Sequence, residues 1–175
     1  RVAKTGMLAN EELVECVAML AKKYRLELVV DPVMVSTSGV KLLEDTAISA
    51  IKNLLFPLAK WITPNIPEAE LICNRKLTTA DDLAEAALEL HNKYSCNCVL
   101  KSGHSISTNE VTDIVCHEGK LYTLRSPLAM VDKITTHGTG CTLSSALAAN
   151  LAQKKDWQEA LICAKAFVYG SLCEN

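Results

Sequence analysis

Several signals are missing from this 175-residue chain, and each absence removes a class of function. Aromatic residues make up only 5% of it, with two Phe and two Trp. No lysine- or arginine-rich arm and no interleaving of basic with aromatic residues occurs, so the electrostatic footprint of nucleic-acid binding is missing. No apolar run approaches the roughly 20 residues that span a bilayer, and no charged n-region followed by an apolar h-region opens the chain. No G-x-x-x-x-G-K-[ST] segment occurs, which excludes the P-loop way of cradling phosphates. Internal repeats, low-complexity tracts and linkers are also lacking. Charge is nearly balanced, with 18 basic and 20 acidic side chains giving a net charge of −2. The length suits one domain with a substantial core.

What is present is an alternation of short apolar runs with helical patterns. Val2-Ala3-Lys4 reads as a strand ending at Thr5-Gly6. Asn10 caps a helix reaching Tyr24, with Glu11 and Glu12 in its first turn. Leu26 to Val30 forms a strand that Pro32 stops. A helix is expected from Glu44 to Leu55, ended by Pro57. Trp61-Ile62-Thr63 is a short buried strand, and Pro67 suits the first turn of the next helix. Thr79 caps a helix from Ala80 to Tyr94, followed by a strand at Cys98 to Lys101. Thr112 to Cys116 and Lys120 to Leu124 alternate around Glu118-Gly119 as a hairpin. A glycine-led helix follows, then one from Trp157 to about Leu172. This order predicts an α/β fold: a mainly parallel sheet covered by helices, with a small antiparallel addition.

The most informative run is Thr136-His137-Gly138-Thr139-Gly140-Cys141-Thr142, which leads into Leu143 to Ala152, a stretch free of Gly and Pro. A helix start carries unpaired N–H groups and partial positive charge, and glycines let an anion approach the backbone. The segment therefore reads as an anion cradle, with Cys141 where a thiolate is favoured. Three further segments put polar groups just after apolar runs: Val29-Val30-Asp31-Pro32-Val33-Met34, Thr63-Pro64-Asn65-Ile66-Pro67-Glu68 and Val99-Leu100-Lys101-Ser102-Gly103-His104. In a parallel sheet, ligands bind outside the carboxyl ends of the strands. Lys4 to Met7, Asp31, Asn65 to Glu68 and Lys101 to Gly103 all fall there.

These segments, with Lys4-Thr5-Gly6-Met7-Leu8, stand in the order found in ribokinase-like small-molecule kinases. Along essentially its whole length the chain most resembles hydroxymethylpyrimidine and phosphomethylpyrimidine kinases of thiamine biosynthesis. The resemblance implies a three-layer αβα sandwich with a mainly parallel central sheet, spanning residues 1–175. It also implies ATP and Mg²⁺ as cofactors, a homodimer and a pyrimidine substrate. With an enzyme of this kind around them, the eight scattered cysteines suggest reduced thiols in a cytoplasmic setting rather than a disulfide framework. Against a typical family domain, roughly the first third and a short C-terminal piece are expected to be missing, including the glycine-rich segment and acidic residues that hold the substrate ring. Pyridoxal or pyridoxine kinase on the same scaffold is the enzyme alternative. A nucleotide-binding fragment without turnover is the other.

The resemblance also implies residue roles, each with a competing structural reading. Gly138, Thr139, Gly140 and Cys141 match the family's anion hole, and Cys141 would accept the proton of the attacking alcohol. A small thiol packing the helix start is the alternative. Most of the wider superfamily has Asp where Cys141 stands. Asn65 and Glu68 match a pair used around Mg²⁺ and nucleotide phosphates, often through water, against a simple helix cap. Asp31 would contact the metal-water shell or phosphate, against a turn-forming Asp-Pro. Lys101 would contact phosphate, against a snorkelling lysine. Met7 and Val33 match positions lining the pyrimidine pocket and could equally be core. His137 is a candidate phosphate contact or a structural histidine. Cys96 and Cys98 with His91 and His104 raise zinc, but their spacing matches no common closed site.

Overall fold

A computed structural model describes residues 1–36, 39–103, 110–129 and 138–174. In chain order the described elements are β1 (Val2–Thr5), α1 (Glu11–Tyr24), β2 (Glu27–Val30), α2 (Asp45–Ala50), β3 (Ala59–Ile62), α3 (Ile66–Cys73), α4 (Ala80–Tyr94), β4 (Asn97–Leu100), β5 (Glu110–His117), β6 (Lys120–Pro127), α5 (Thr139–Ala152) and α6 (Trp157–Cys173). The strands form one sheet in sequence order. β1 to β4 pair in parallel, and β5 and β6 add on antiparallel. Both the parallel core and the antiparallel hairpin match the sequence expectation.

Strand residues point alternately to opposite faces, and here that alternation builds two cores. Leu28 and Val30 of β2, Ile62 of β3, Cys98 and Leu100 of β4, and Ile114 and Cys116 of β5 pack against α1 to α4, and Ala59 joins them because the β2–β3 register shifts by one residue between Leu28 and Val29. Val29, Trp61, Val99 and Val115 face the other way and pack against α5 and α6. Helices on both faces leave the parallel strands no solvated side, which is why they read as unbroken apolar runs. The result is the three-layer αβα sandwich that the resemblance implied. Among the described residues, no helix is long and apolar enough to cross a membrane.

The caps fall where the sequence puts them. Asn10 accepts from Leu13 N at 3.0 Å, and Thr79 and Asp82 form a reciprocal capping box. One element departs from expectation. The helix beginning at Asp45 is α-helical only to Ala50, then makes a π-helical turn over Ile51–Leu55 and a 3-10 turn over Phe56–Leu58. Pro57 has no N–H to return to the carbonyl of Asn53, and its ring clashes with that carbonyl. The ladder slips instead: Phe56 N bonds to Ile51 O, and Ala59 N to Phe56 O.

Leu147 is fully buried on α5 and carries that helix into the second core. Leu147→Ala should lower the unfolding free energy by about 2–5 kcal/mol, read from urea denaturation.

Candidate active site

The charged residues of the site sit one step beyond the strand ends, where the parallel ladder continues past the regular strands. Asp31 N donates to Thr5 O at 3.3 Å, Thr63 N to Val30 O at 3.0 Å and Lys101 N to Pro64 O at 2.9 Å. Asp31, Thr63 and Lys101 therefore emerge from β2, β3 and β4 in a row, on the rim to which α5 brings its first turn.

Asp31 is 2% exposed. Lys101 Nζ donates to its Oδ1 at 3.0 Å, and Lys4 Nζ stands 3.3 Å from its Oδ2. Thr63 Oγ1 lies 3.4 Å from Oδ1 and 2.7 Å from the hydroxyl of Ser144, which itself donates to Gly140 O at 2.9 Å. Cys141, in the first turn of α5, stands near enough for its thiol and the Asp31 carboxylate to act on each other. Burial would push the Asp31 carboxyl up, but the charge of Lys101, the hydrogen bonds from Cys141 and Lys101 and the charge of Lys4 hold it below its ordinary value. The same surroundings act on Cys141 in the opposite sense. Burial first, then the hydrogen bond to Asp31 and its negative charge, push the thiol up, against the smaller pull of Lys4 and Lys101. A helix N-terminus alone favours thiolate; here burial, and after it the neighbouring carboxylate, outweigh that preference and favour the thiol.

Gly138 caps α5 with a left-handed backbone (φ +83°) and has no side chain with which to close the first turn. At Gly140 a Cβ would meet Lys101 Nζ at 3.1 Å, so the missing side chain makes room for the lysine. Two ammonium groups and the positive end of a helix dipole bring to this corner the kind of donors that a phosphate takes. An open apolar groove of about 660 Å³ between α5 and α6 reaches Cys141 at one end.

Asn65 and Glu68 are brought together as a reciprocal cap of α3. Asn65 Oδ1 accepts Glu68 N, and Glu68 Oε2 accepts Asn65 N, both at 2.8 Å. Each remaining group is also engaged. Glu68 Oε1 accepts Met34 N at 3.0 Å, and Asn65 Nδ2 donates to Val35 O at 3.0 Å. Glu68 is 2% exposed, and burial, its largest influence, leaves its carboxyl above the ordinary value despite Lys101 and the two N–H donors. This arrangement fits a helix cap that straps the segment after β2 to α3, and does not fit a cage for a divalent cation. Among the described residues, no group of three or more His, Cys, Asp or Glu stands close enough to hold a metal.

The strap bears on Val33, whose φ of +46° is unusual for a β-branched residue. Met34 holds that turn from the next position, with its side chain fully buried, its N–H on Glu68 and its carbonyl accepting Leu42 N at 2.8 Å. Val33 is half-buried, and Met7 is 59% exposed between β1 and α1. Neither belongs to a core cluster. His91 donates through Nδ1 to the carbonyl of Cys96 at 2.8 Å, and Cys98 is buried within β4. His104 and His137 lie outside the described residues.

Sequence reasoning assigned no role to Lys4, Thr63 or Ser144. Thr63 carries the same signal as Asp31 and Lys101, a polar residue just after a buried strand. Ser144 carries none beyond being polar between Leu143 and Leu147.

If Asp31 helps hold the Cys141 thiol up, Asp31→Asn should bring it down, since burial alone then opposes Lys4 and Lys101. Each unit of decrease gives about tenfold more thiolate below the pKa. Iodoacetamide labelling at pH 8, read at Cys141 by peptide mass spectrometry, should accelerate by about that factor. Glu68→Ala should cost roughly 2–4 kcal/mol in urea denaturation, because two buried N–H groups lose their acceptor.

The model of the phosphomethylpyrimidine kinase family matches residues 1–175. The hydroxymethylpyrimidine/phosphomethylpyrimidine kinase of Haemophilus influenzae is 40% identical over 173 residues, covering 97% of this chain and 64% of that protein. The crystal structure of phosphomethylpyrimidine kinase from Clostridium difficile superposes with a TM-score of 0.83 at 34% identity, covering 98% of this chain and 69% of that one. The ADP complex of Bacillus subtilis pyridoxal kinase gives a TM-score of 0.83 at 35% identity, covering 94% of this chain and 61% of that one. The chain thus spans about two thirds of the length of these relatives. With a family match over every residue and a shared three-layer fold, the chain belongs to the phosphomethylpyrimidine kinase family.

Proposed function

We propose that the polypeptide containing this chain transfers the γ-phosphoryl group of ATP to the hydroxymethyl oxygen of 4-amino-5-hydroxymethyl-2-methylpyrimidine, or to the phosphate of its monophosphate. The observation that carries this reading is the convergence of Lys4, Lys101 and the first turn of α5 on one rim, with Asp31 between the two ammonium groups. Phosphoryl transfer asks for little covalent chemistry from the protein and much positioned positive charge. Lys101, the backbone of Gly138, Thr139 and Gly140, and Cys141 face the transferring group, and Lys4 and Asp31 hold the charge balance behind it.

The attacking hydroxyl must lose a proton, and Cys141 rests as a thiol beside the Asp31 carboxylate. The hydroxyl proton moves to Cys141 Sγ as the thiol proton moves to an Asp31 oxygen. The hydroxyl oxygen bonds the γ-phosphorus, and the bond to the bridging oxygen breaks, releasing ADP. A monophosphate acceptor presents an oxygen that is already anionic and needs no such relay. Pyridoxal is the second reading, favoured by one observation: the pyridoxal kinase of Bacillus subtilis superposes as well as the pyrimidine kinase does. Pyridoxal also presents a hydroxymethyl group on a flat heteroaromatic ring.

The test is a coupled ADP-release assay on the natural polypeptide, with the pyrimidine alcohol, its monophosphate and pyridoxal run in parallel. Higher kcat/KM for the pyrimidines is expected. A clear preference for pyridoxal replaces the first reading with the second, and no ADP release with any of the three removes both. Cys141→Ala should lower alcohol phosphorylation by about a hundredfold or more while changing monophosphate phosphorylation far less. Equal losses on both acceptors would take the proton away from Cys141.

A further inference from the structure

A second buried ion pair lies outside the cluster described above. Asp113 of β5 is 2% exposed, and its Oδ2 receives Lys165 Nζ of α6 at 2.5 Å. Its other oxygen accepts the backbone N–H of Ser102 at 3.0 Å. Taking two charges out of water costs several kcal/mol per ion, and apolar residues of similar volume are often as stable in such places. Packing alone therefore does not account for a charged pair beside Ile114, Val115 and Cys116 in a buried strand.

The pair makes sense through Ser102, the neighbour of Lys101. The turn leaving β4 is held at two successive N–H groups: Lys101 N on Pro64 O at 2.9 Å, and Ser102 N on Asp113. The next residue, Gly103, has a left-handed backbone (φ +59°) that adds little stiffness of its own. The Lys101 side chain must still cross to Asp31 and lie against Gly140. The geometry points to Asp113, steadied by Lys165, as a positioning residue. It fixes the turn after β4 so that Lys101 is presented to the phosphate, and it ties that presentation to α6. This rests on the phosphate-binding reading of Lys101 given above.

The test uses three variants of the natural polypeptide. Asp113→Leu with Lys165→Met replaces the pair by apolar residues and removes the acceptor for Ser102. Asp113→Asn with Lys165→Met also removes both charges but keeps a carbonyl oxygen for that N–H. Ser102→Pro deletes the donor and leaves the ion pair intact. Exposure of Lys101 is read by acetic anhydride labelling and peptide mass spectrometry, and ATP KM is measured on the same preparations. Losing a hydrogen bond to a charged acceptor should raise Lys101 labelling by about tenfold in the leucine and proline variants, with other lysines unchanged. ATP KM should rise by a similar factor, and the asparagine variant should stay within about threefold of the parent in both readouts. Unchanged Lys101 labelling in Ser102→Pro, or equal labelling in the asparagine and leucine variants, overturns the proposal. If the leucine variant unfolds, the proline and asparagine variants decide the matter by themselves. Labelling that behaves as expected in a protein without kinase activity upholds the positioning role and removes only the kinase reading.

Discussion

The site is organised around one carboxylate that could not stay charged alone. Asp31 is removed from water at the end of β2, where an isolated anion would be far too costly. It remains ionised because Lys4 reaches it from β1, Lys101 from beyond β4 and the Cys141 thiol from the first turn of α5. Three strands and a helix are thus tied to one charge. The same charge adds to burial in holding the Cys141 thiol up.

How much of this could be read from residue order depends on how local each cause is. Asp31 and Lys101 were legible because a polar residue just after a run of buried β-branched and aliphatic residues has few reasons to be there. The π-turn after Ala50 was not: Pro57 announces that a helix must end, but not how the ladder rearranges before it. Cys141 shows the limit most clearly. The helix start is visible in the sequence and favours thiolate, whereas what reverses the preference is burial in the fold and a carboxylate 110 positions earlier, the difference between 141 and 31. Glu68 was legible as a helix-terminus acid. Its bond to Met34 N, which crosses from one strand-end segment to another, was not.

The strap from Glu68 also explains how Val33 persists in a conformation that β-branched residues avoid. Strain of about 1–3 kcal/mol survives only where neighbouring contacts over-determine it. Here Met34 supplies them, with its side chain in the core and both its backbone groups bonded. The residue that follows Asp31-Pro32 is thereby held in one shape before any ligand arrives.

The hydroxyls of Thr63 and Ser144 have only two protons to share along a line of oxygens running from Asp31 Oδ1 to Gly140 O. Two orders are self-consistent. Either Thr63 donates to Ser144 and Ser144 to the Gly140 carbonyl, or Ser144 donates to Thr63 and Thr63 to Asp31. The first order supports the helix backbone, and the second supports the carboxylate's charge. Rotating two buried hydroxyls exchanges them without moving a heavy atom. The Asp31 carboxylate and the Gly140 carbonyl thus stand at the two ends of one short line of buried hydroxyls.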